Sequence, residues 1–398
     1  MTDRIRVALI GIGGYGEVYL SSLLDEPEGA RCEIVGVVDP HPEGCSRLPE
    51  LVARGTPVYD VPTSLFANQA VDLTVISSPI QLHADHTCEA LERGSNVLLE
   101  KPAAAVPAEV DRMLHASEGT GRFVAVGYQW SFSTSILDLK RDILAGHFGA
   151  PQAGRSLTLW PRTEGYYLRN DWAGRRKDPH GRWILDSPAN NAMAHFLHNL
   201  LFLMGPKMAL SEEPEIVTAR LGRVNDIETF DTVAARIQTR GGADLRFFAS
   251  HAISESEAAD PSFTLEFEGG TIVFPGGSPA PGADGKDSLP PITAQLADGT
   301  VRRYPSPDET PQVEKLWTCV SAIRGDAVIP CTLETALPHA RCIEAIEESG
   351  TVPVSFPEER LRTSRTDGGA LRWVEGLAAS LAEAYAVDDW PDLLGGPP

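Results

Sequence analysis

The stretch that decides the fold is Gly11-Ile12-Gly13-Gly14-Tyr15-Gly16, which directly follows the apolar run Arg6-Val7-Ala8-Leu9-Ile10. In a strand–turn–helix unit, glycines at the positions of Gly11, Gly13 and Gly16 permit a tight turn, close approach of a diphosphate, and close helix packing. The free N–H groups at the start of the helix then face the phosphates. The pattern predicts a dinucleotide site, and a purely structural glycine turn is the alternative.

An acidic residue, Asp39, closes the second apolar run at residues 34–38. At the end of that strand a carboxylate is placed to accept hydrogen bonds from the adenosine ribose hydroxyls. It would also repel a 2′-phosphate, and the following Pro40, His41 and Pro42 include no Arg or Lys to bind one. We therefore expect NAD as the cofactor, with NADP as the less favoured alternative.

The first part of the chain alternates continuous apolar runs with amphipathic segments. This pattern predicts parallel strands that are buried on both faces by helices. Later runs are longer and alternate in polarity, which is typical of antiparallel strands. The fold class expected is α/β, with an N-terminal doubly wound Rossmann sheet and a C-terminal α+β domain that has a large, open, mostly antiparallel sheet. The expected strands lie at 6–10, 34–38, 73–76, 97–99, 123–126, 156–160, 216–223, 232–238, 245–250, 263–267 and 271–274.

Three segments are expected from this change of pattern. Residues 1–135 form the dinucleotide-binding domain, and residues 136–370 form the domain for substrate binding and oligomer contacts. Residues 371–398 supply a C-terminal helix and tail that pack on the first domain. The stretch 276–291, rich in Gly and Pro, is expected to be an exposed loop, and residues 369–386 are expected to be helical.

Composition limits the possible partners. The 398 residues include 34 basic and 55 acidic side chains, for a net charge of -21. This excess argues against nucleic acid or an anionic membrane as a partner, but not against a phosphate held by local N–H groups. No run approaches the roughly 20 apolar residues of a membrane helix, and the six cysteines form no C-x-x-C pair. A cytoplasmic protein with reduced thiols is expected.

Two further strand ends carry polar groups. Ser77-Ser78-Pro79, with His83 following, ends the third strand, and Glu100-Lys101-Pro102 ends the fourth. Ligands of open α/β sheets collect at the carboxyl ends of strands. A lysine there would lie beside the nicotinamide and hydrogen-bond a substrate oxygen, whereas a solvated surface lysine is the alternative. The proline after it is a candidate for a cis peptide bond.

These motifs together resemble those of the Gfo/Idh/MocA oxidoreductases, which include glucose–fructose oxidoreductase and inositol dehydrogenases. The resemblance implies that the open sheet of the second domain carries the substrate and often the oligomer contacts. It further implies that the cofactor is contacted by the glycine turn, by Asp39, by the two polar strand ends and by Gln129. The residues are Gly11, Ile12, Gly13, Gly14, Tyr15, Gly16, Asp39, Ser77, Ser78, Pro79, His83, Glu100, Lys101, Pro102 and Gln129.

The family's third motif is Asp-x-x-x-His on a helix, and the matching stretch here is Asn191-Ala192-Met193-Ala194-His195. At 100° per residue, Asn191, His195, His198 and Asn199 share one side of a helix. That stripe has no charged residue, which suggests a sheltered polar cleft rather than a solvated face. A chance set of satisfied polar groups is the alternative.

The resemblance assigns His195 as the acid/base, with Lys101 and Asn191 positioning the substrate oxygen and His198 contacting substrate. Imidazole suits proton exchange because its ordinary pKa, about 6.5, lies near neutral pH. Asn191 replaces the usual Asp and cannot hold a negative charge, so proton handling is expected to differ. Zinc is a rival use of His195 and His198, but no Cys, Asp or Glu stands beside them as a third ligand, and we expect no metal.

The segment 160–172 is expected to be a loop that lines the substrate pocket. It contains two Trp, two Tyr and two Arg. Aromatic faces with Arg and Asn donors suit a polyhydroxylated ring, because the C–H face stacks while the hydroxyls accept and donate hydrogen bonds. A loop anchored by its own aromatics, or a subunit contact, is the alternative. The expected substrate contacts, beyond the reacting groups, are Tyr128, Trp130, Arg162, Tyr166, Tyr167, Arg169, Asn170, Trp172 and His198.

The function expected is hydride transfer between nicotinamide and a hydroxyl or keto carbon of a sugar, sugar derivative or cyclitol. One alternative is an enzyme that retains NAD and oxidises a sugar transiently to cleave or epimerise it. Another is a non-enzymatic, dinucleotide-dependent sensor or co-repressor. A homodimer or homotetramer is expected, because the open sheet face needs cover.

Overall fold

A computed structural model of the chain describes residues 4–281, 287–349 and 352–395. The chain divides into two compact units. The first contains Met1–Phe132 and Pro311–Leu337, and the second contains Ser133–Thr310 and Pro338–Pro398. No helix of the described ranges is long and apolar enough to cross a membrane.

The regular elements follow the expected order. The strands are β1 (Ile5–Ile10), β2 (Cys32–Val38), β3 (Val58–Tyr59), β4 (Leu73–Ile76), β5 (Asn96–Leu99), β6 (Val124–Val126), β7 (Pro151–Leu159), β8 (Pro214–Gly222), β9 (Thr232–Thr239), β10 (Asp244–Ser250), β11 (Ala259–Phe267), β12 (Gly270–Phe274), β13 (Ala280–Pro281), β14 (Asp287–Ser288), β15 (Ile292–Leu296), β16 (Val301–Tyr304), β17 (Leu361–Thr366) and β18 (Gly369–Val374). The helices are α1 (Gly16–Asp25), α2 (Leu48–Ala53), α3 (Pro62–Asn68), α4 (His83–Glu92), α5 (Pro107–Ser117), α6 (Thr134–Leu144), α7 (Glu164–Leu168), α8 (Ala194–Met204), α9 (Glu314–Ile323), α10 (Leu333–Glu348) and α11 (Leu377–Val387).

The first unit has a six-stranded parallel sheet in the order β3-β2-β1-β4-β5-β6. Its central strands β1, β4 and β5 are almost fully buried, which is why all but one residue of each is apolar. The chain order reverses between β1 and β4, so the carboxyl ends of these two strands form the crevice where ligands of such sheets bind. The predicted Rossmann sheet is confirmed.

The segment Pro311–Leu337 belongs to the first unit, although we expected it in the second domain. Its backbone extends the edge of the sheet, where the Val126 N–H donates to the Cys331 carbonyl at 2.9 Å. The Trp317 indole also donates to the Glu26 carboxylate at 2.9 Å. Pairing between segments so distant in sequence leaves no periodic signal, which explains the misplaced boundary.

The second unit has an eight-stranded sheet in the order β16-β15-β12-β11-β7-β10-β9-β8. Its neighbouring strands pair antiparallel except for β7 and β10, which are parallel. Hairpins join β11 to β12 and β15 to β16, at Glu268-Gly269 and at Asp298-Gly299. The almost fully buried helix α8 packs on one face, where the Met204 methyl would lie 3.2 Å from a β-carbon on Gly154 of β7. The mostly antiparallel sheet is thus confirmed, and the central part of the predicted loop 276–291 lies outside the described residues.

The C-terminal segment differs from the expectation in two ways. Gly369–Val374 is a strand paired with Leu361–Thr366, and the helix begins only at Leu377, after Gly376 with φ 83°. The helix α11 packs in the second unit rather than on the first, because its apolar side chains complete a core with the other sheet face. The members of that core include Leu157, Leu159, Phe248, Leu377, Ala378, Leu381 and Ala384.

Candidate functional site

The glycine turn has the geometry that its sequence predicts. Gly11 has φ 82°, and a β-carbon there would lie 2.8 Å from the carbonyl carbon of Ser77. A β-carbon on Gly16 would lie 2.2 Å from the carbonyl oxygen of Gly11. By contrast, β-carbons on Gly13 and Gly14 would meet nothing within 4 Å. Gly11 and Gly16 are therefore needed for the turn itself. Gly13 and Gly14 leave open space above the turn, and we call these two residues the glycine cradle.

This difference gives a matched pair of variants. Gly13→Ala is expected to fold normally but to weaken NAD binding about 5–150-fold, because an overpacked contact costs about 1–3 kcal/mol. Gly16→Ala is expected to lose both the fold of the first unit and the binding, since its methyl group meets backbone. Calorimetric NAD titration and thermal unfolding measure the two effects. Equal affinity of wild type and Gly13→Ala would refute the cradle.

Asp39 lies at the carboxyl end of β2, beside the turn. One carboxylate oxygen accepts from the Ile12 N–H at 3.0 Å, and the other accepts from the His41 N–H at 2.9 Å. These bonds fix the carboxylate while leaving it lone pairs for further donors. The cradle, the start of α1 and this carboxylate together fit a dinucleotide with unmodified ribose hydroxyls, which is the chemistry of NAD.

His83 is a structural residue rather than the expected cofactor contact. Its Nδ1 lies 2.9 Å from the Pro102 carbonyl oxygen and its Nε2 lies 2.9 Å from the Ser78 carbonyl oxygen. Burial lowers the pKa of this imidazole, and the two carbonyls oppose that shift. It thus ties the loops after β4 and β5 together. Ser77, next to Ser78, has a buried hydroxyl without a hydrogen-bond partner among the described residues.

Glu100 is likewise not open to a cofactor. Its carboxylate is buried, forms an ion pair with the Lys315 ammonium and accepts from the Tyr19 hydroxyl at 2.5 Å. Burial alone would raise the pKa of Glu100, but the positive charges of Lys315 and Lys101 lower it by more than burial raises it. The net shift of this pKa is therefore downward. Lys315 also lies 4.6 Å from the ring centroid of Tyr15. No sequence signal identifies Lys315, because it comes from α9, far along the chain.

Lys101 directly follows β5, and its N–H donates to the Glu100 carboxylate at 3.1 Å. The Lys101–Pro102 peptide bond is cis, as the sequence suggested. Beyond β6, the expected contacts Tyr128 and Trp130 are buried, at 1% and 3% exposure. Burial also raises the pKa of the Tyr128 hydroxyl well above its usual value. Their role is therefore packing, and only Gln129 of this trio is partly accessible.

In the second unit, the expected continuous helix across residues 190–199 is interrupted. Pro188–Ala192 forms a π-helical turn, Met193 has φ -113° and ψ 13°, and α8 begins at Ala194. The break changes the angle between Asn191 and the residues of α8, so a helical wheel does not relate them. His195 lies in the first turn of α8 and is partly accessible.

His198 and Asn199 are interior residues, at 1% and 2% exposure. The His198 ring stacks on Phe202, with centroids 5.8 Å apart. Burial lowers the pKa of His198 well below its usual value, and the nearby His339 and Lys140 lower it further. The predicted substrate contact at His198 is therefore corrected to a core position. No group of three or more His, Cys, Asp or Glu side chains suited to a metal occurs in the described part of the chain.

The aromatic segment does form one cluster. Tyr166 lies in the short helix α7, with the guanidinium carbons of Arg162 and Arg169 at 4.9 and 3.7 Å from its ring centroid. Arg169 also lies 5.1 Å from the Trp172 ring. Asn170 instead caps the backbone, since its side-chain oxygen accepts from the Ala173 N–H at 2.8 Å. The Tyr167 hydroxyl is buried, without a hydrogen-bond partner among the residues described.

Trp160 connects this cluster to the helix that carries His195. Its ring lies 5.4 Å from that of Phe196, the next residue after His195. The Arg162 guanidinium lies 5.7 Å from Trp160 on the other side. The structure therefore brings the predicted aromatic and histidine residues of this unit into one neighbourhood.

Asp186 is a functional candidate that the sequence reading missed. It is buried, at 4% exposure, and one carboxylate oxygen accepts from the Asn191 side-chain amide at 2.7 Å. The other oxygen accepts from the Gly174 N–H at 2.7 Å, and Arg169 lies 3.9 Å away. A carboxylate just ahead of the Asn-Asn pair was the available signal. The negative charge that Asn191 lacks is thus held by its hydrogen-bond partner.

Comparison with known proteins agrees with these features. The model of the Gfo/Idh/MocA oxidoreductase family, described as an NAD-binding Rossmann fold, matches residues 5–128. Inositol 2-dehydrogenase 1 of Saccharopolyspora erythraea is 34% identical over 154 residues, which are 37% of this chain and 43% of that protein. The rhizopine catabolism protein MocA of Rhizobium meliloti is 29% identical over 146 residues, covering 37% and 44%. These matches therefore span less than half of each relative.

Solved structures share the fold over most of the chain. The WlbA dehydrogenase of Bordetella pertussis, in complex with NADH and UDP-GlcNAcA, superposes with a TM-score of 0.68 at 21% identity, over 89% of this chain and 100% of that one. The aldose-aldose oxidoreductase of Caulobacter crescentus has a TM-score of 0.65 at 19% identity, over 88% and 100%. Residues 5–128, which contain the glycine cradle and the Glu-Lys-Pro turn, thus match the NAD-binding Rossmann fold of the Gfo/Idh/MocA oxidoreductase family.

Proposed function

We propose that the protein is an NAD-dependent oxidoreductase that transfers a hydride between the nicotinamide and a hydroxyl or keto carbon of a sugar, sugar derivative or cyclitol. The observation that carries the proposal is the open cradle at Gly13 and Gly14 beside the fixed Asp39 carboxylate. The names of the relatives support the substrate class, since they include inositol dehydrogenases and an enzyme crystallised with UDP-GlcNAcA. The cluster around Tyr166 offers such a ring both stacking faces and donors.

The residues of the chain handle the oxygen and its proton. When bound, NAD accepts or returns a hydride at its nicotinamide ring. We propose that Lys101 donates a hydrogen bond to the substrate oxygen and that His195 removes the hydroxyl proton as the hydride leaves the same carbon. In the reverse direction His195 returns that proton to the carbonyl oxygen. The proposal requires both residues to act on one substrate.

Asn191 positions the substrate oxygen in this scheme, and Asp186 positions Asn191. The Asn191 amide N–H₂ donates to Asp186, which fixes the orientation of this side chain. The substrate hydroxyl lies beside the fixed amide before its proton moves to His195. The carboxylate of Asp186, rather than one at position 191, then supplies the negative charge that stabilises a protonated imidazole.

A charge swap tests this arrangement. Asn191→Asp restores the family residue but is expected to slow turnover about tenfold or more, because two carboxylates in hydrogen-bond contact cannot both ionise. Asp186→Asn removes the charge and is expected to slow turnover similarly. The double variant Asp186→Asn/Asn191→Asp is expected to recover most of the kcat. Measured kcat and KM pH profiles decide, and a double variant no faster than the singles would contradict the pairing.

The activity itself is tested by NADH absorbance. The full chain is incubated with NAD and with panels of neutral hexoses, acidic hexoses and cyclitols. We expect NADH to form with at least one panel member. A product that forms from a sugar without net NADH would favour the alternative that retains NAD and oxidises transiently. Tight calorimetric NAD binding without any product would contradict the enzyme and favour a sensor.

We also propose that the protein is a cytoplasmic homo-oligomer. The structure leaves less of the second sheet exposed than the sequence suggested. The face of the second sheet that carries Leu157 and Phe248 is covered by the chain's own α11, so it needs no second copy. Exposed apolar side chains remain at Val273 and Val301, on the β12 and β16 side. Light scattering of the full chain tests this proposal, and a monomer at all concentrations would refute it.

A further inference from the structure

Two arginines contact a single tyrosine ring in the second unit. The five-residue helix α7 holds Tyr166, while Arg162 precedes it and Arg169 follows it. Their guanidinium carbons lie 4.9 and 3.7 Å from the Tyr166 ring centroid, so both cations share one aromatic anchor. Two like charges so close repel each other unless an anion lies near both.

The acidic groups nearby compensate this charge only in part. Asp186 lies 3.9 Å from Arg169, but its two oxygens already accept shorter bonds from Asn191 and the Gly174 N–H. No carboxylate of the described residues lies within 4.0 Å of Arg162, whose Nε is buried without a hydrogen-bond partner among them. Its Nη1 donates to the Pro161 carbonyl at 3.3 Å, and the side chain also hydrogen-bonds Tyr166.

Two other ionisable groups of this part do not form an ion pair with Arg162. His251 lies 5.7 Å from the Tyr166 ring, and its pKa is lowered to about 3 by burial together with the two arginines, so it is neutral. Asp231 is buried and accepts from Asn225 and from the backbone N–H of Val224, each at 2.9 Å. We call the surface formed by Arg162, Tyr166 and Arg169 the cationic surface, and its Arg162 guanidinium has no carboxylate contact among the described residues.

This cationic surface adjoins the proposed reacting groups. Asp186 connects it to Asn191, and Trp160 connects it to Phe196, next to His195. A substrate held at His195 would have to extend past Trp160 to meet the arginines. The guanidinium fork matches carboxylate and phosphate oxygens in pairs, and aromatic stacking keeps it in place.

Building on the proposed function, we propose that Arg162 and Arg169 form an anion subsite and that the substrate is an acidic sugar carrying a carboxylate or a phosphate group. The sugar ring stacks on the Trp160 and Tyr166 side of the cluster, and its anionic group lies between the two guanidinium groups. Neutral hexoses and cyclitols have no anionic group to contact the two guanidinium groups, so they bind weakly.

The test compares matched substrates that differ in charge: D-glucose, D-glucuronate and D-glucose 6-phosphate. For wild type we expect at least a tenfold lower KM for one of the two acids, and which acid it is distinguishes carboxylate from phosphate. Arg162→Gln and Arg169→Gln are each expected to raise that KM about 10–100-fold, the scale of a lost charge-assisted hydrogen bond. Their KM for glucose should change less than about threefold.

The exposed Arg240 supplies the control, since Arg240→Gln removes the same charge from a surface position in the same unit and should leave every KM unchanged. Equal KM values of wild type for glucose and both acids would overturn the subsite. So would an equal rise for glucose and the acid in either Gln variant. Arg162→Lys separates charge from fork geometry, and partial recovery of acid affinity is expected.

Calorimetry separates this inference from the redox chemistry. If no sugar yields NADH, the full chain is titrated with D-glucuronate and D-glucose 6-phosphate in the presence of NADH. Binding of an acid that is lost in Arg162→Gln would support the anion subsite and leave only the hydride transfer refuted. Failure of both acids to bind wild type would overturn the subsite itself.

Discussion

Alanine in place of His195 is expected to slow hydride transfer about 10²–10⁴-fold, the usual contribution of a positioned acid/base. His195 lies in the first turn of α8, where Phe196 and Trp160 hold the neighbouring backbone. Removing the imidazole leaves the substrate hydroxyl without a proton acceptor, while the cradle at Gly13 is unchanged. We therefore expect kcat to fall while the Kd for NAD stays within about twofold. Stopped-flow NADH formation and calorimetric titration measure the two quantities.

A second measurement distinguishes proton transfer from a structural defect. Exogenous imidazole should restore part of the activity of His195→Ala, because it fits the space that the ring vacates. The exposed His115, in α5 of the first unit, provides the control, and His115→Ala should match wild type. Turnover of His195→Ala at the wild-type rate would remove His195 from the mechanism. So would lost activity accompanied by a lower melting temperature and no imidazole rescue.

The sequence predicted the first unit well because its signals are local. The glycine turn, Asp39 and the cis proline each depend on a few neighbouring residues, and the structure has all three as expected. Buried parallel strands are also mostly apolar, so their positions along the chain could be inferred. The prediction that Glu100 contacts the cofactor was wrong because its partner comes from a distant segment. Glu100 pairs with a lysine 215 positions away.

The second unit shows where periodicity misleads. A helical wheel assumes a constant rotation per residue, and the break at Met193 ends that regularity between Asn191 and α8. The stripe that contains Asn191, His195, His198 and Asn199 has no charged residue. Burial of His198 and Asn199 in the core explains this absence better than a polar cleft does. Asp186 compensates for Asn191 across a turn whose shape local propensities do not specify. The sequence thus indicates which residues are candidates for the site, but it does not indicate which side chains they contact.

Methionine in place of Lys315 is expected to destabilise the first unit by about 3–5 kcal/mol, because it leaves the Glu100 carboxylate buried without its cation. Both side chains are buried in the wild type, at 1% and 9% exposure. The Tyr19 hydroxyl alone cannot replace an ammonium group. Loss of order around Glu100 would also displace Lys101, so NAD binding and turnover should fall together. Urea unfolding, with hydrogen exchange of peptides from β5 and α9, measures the loss.

The double variant Glu100→Gln/Lys315→Met gives the decisive comparison, because it removes both charges and should recover most of the stability. In wild type the lowered pKa of Glu100 means that the pair stabilises the fold above the carboxyl's unfolded pKa. That stabilisation is lost as the pH falls through the folded pKa, where the carboxylate becomes protonated. The double variant should lack this part of the acid sensitivity. If Lys315→Met were as stable as wild type, or the double variant no more stable than the single, the ion pair would not hold the loop that presents Lys101.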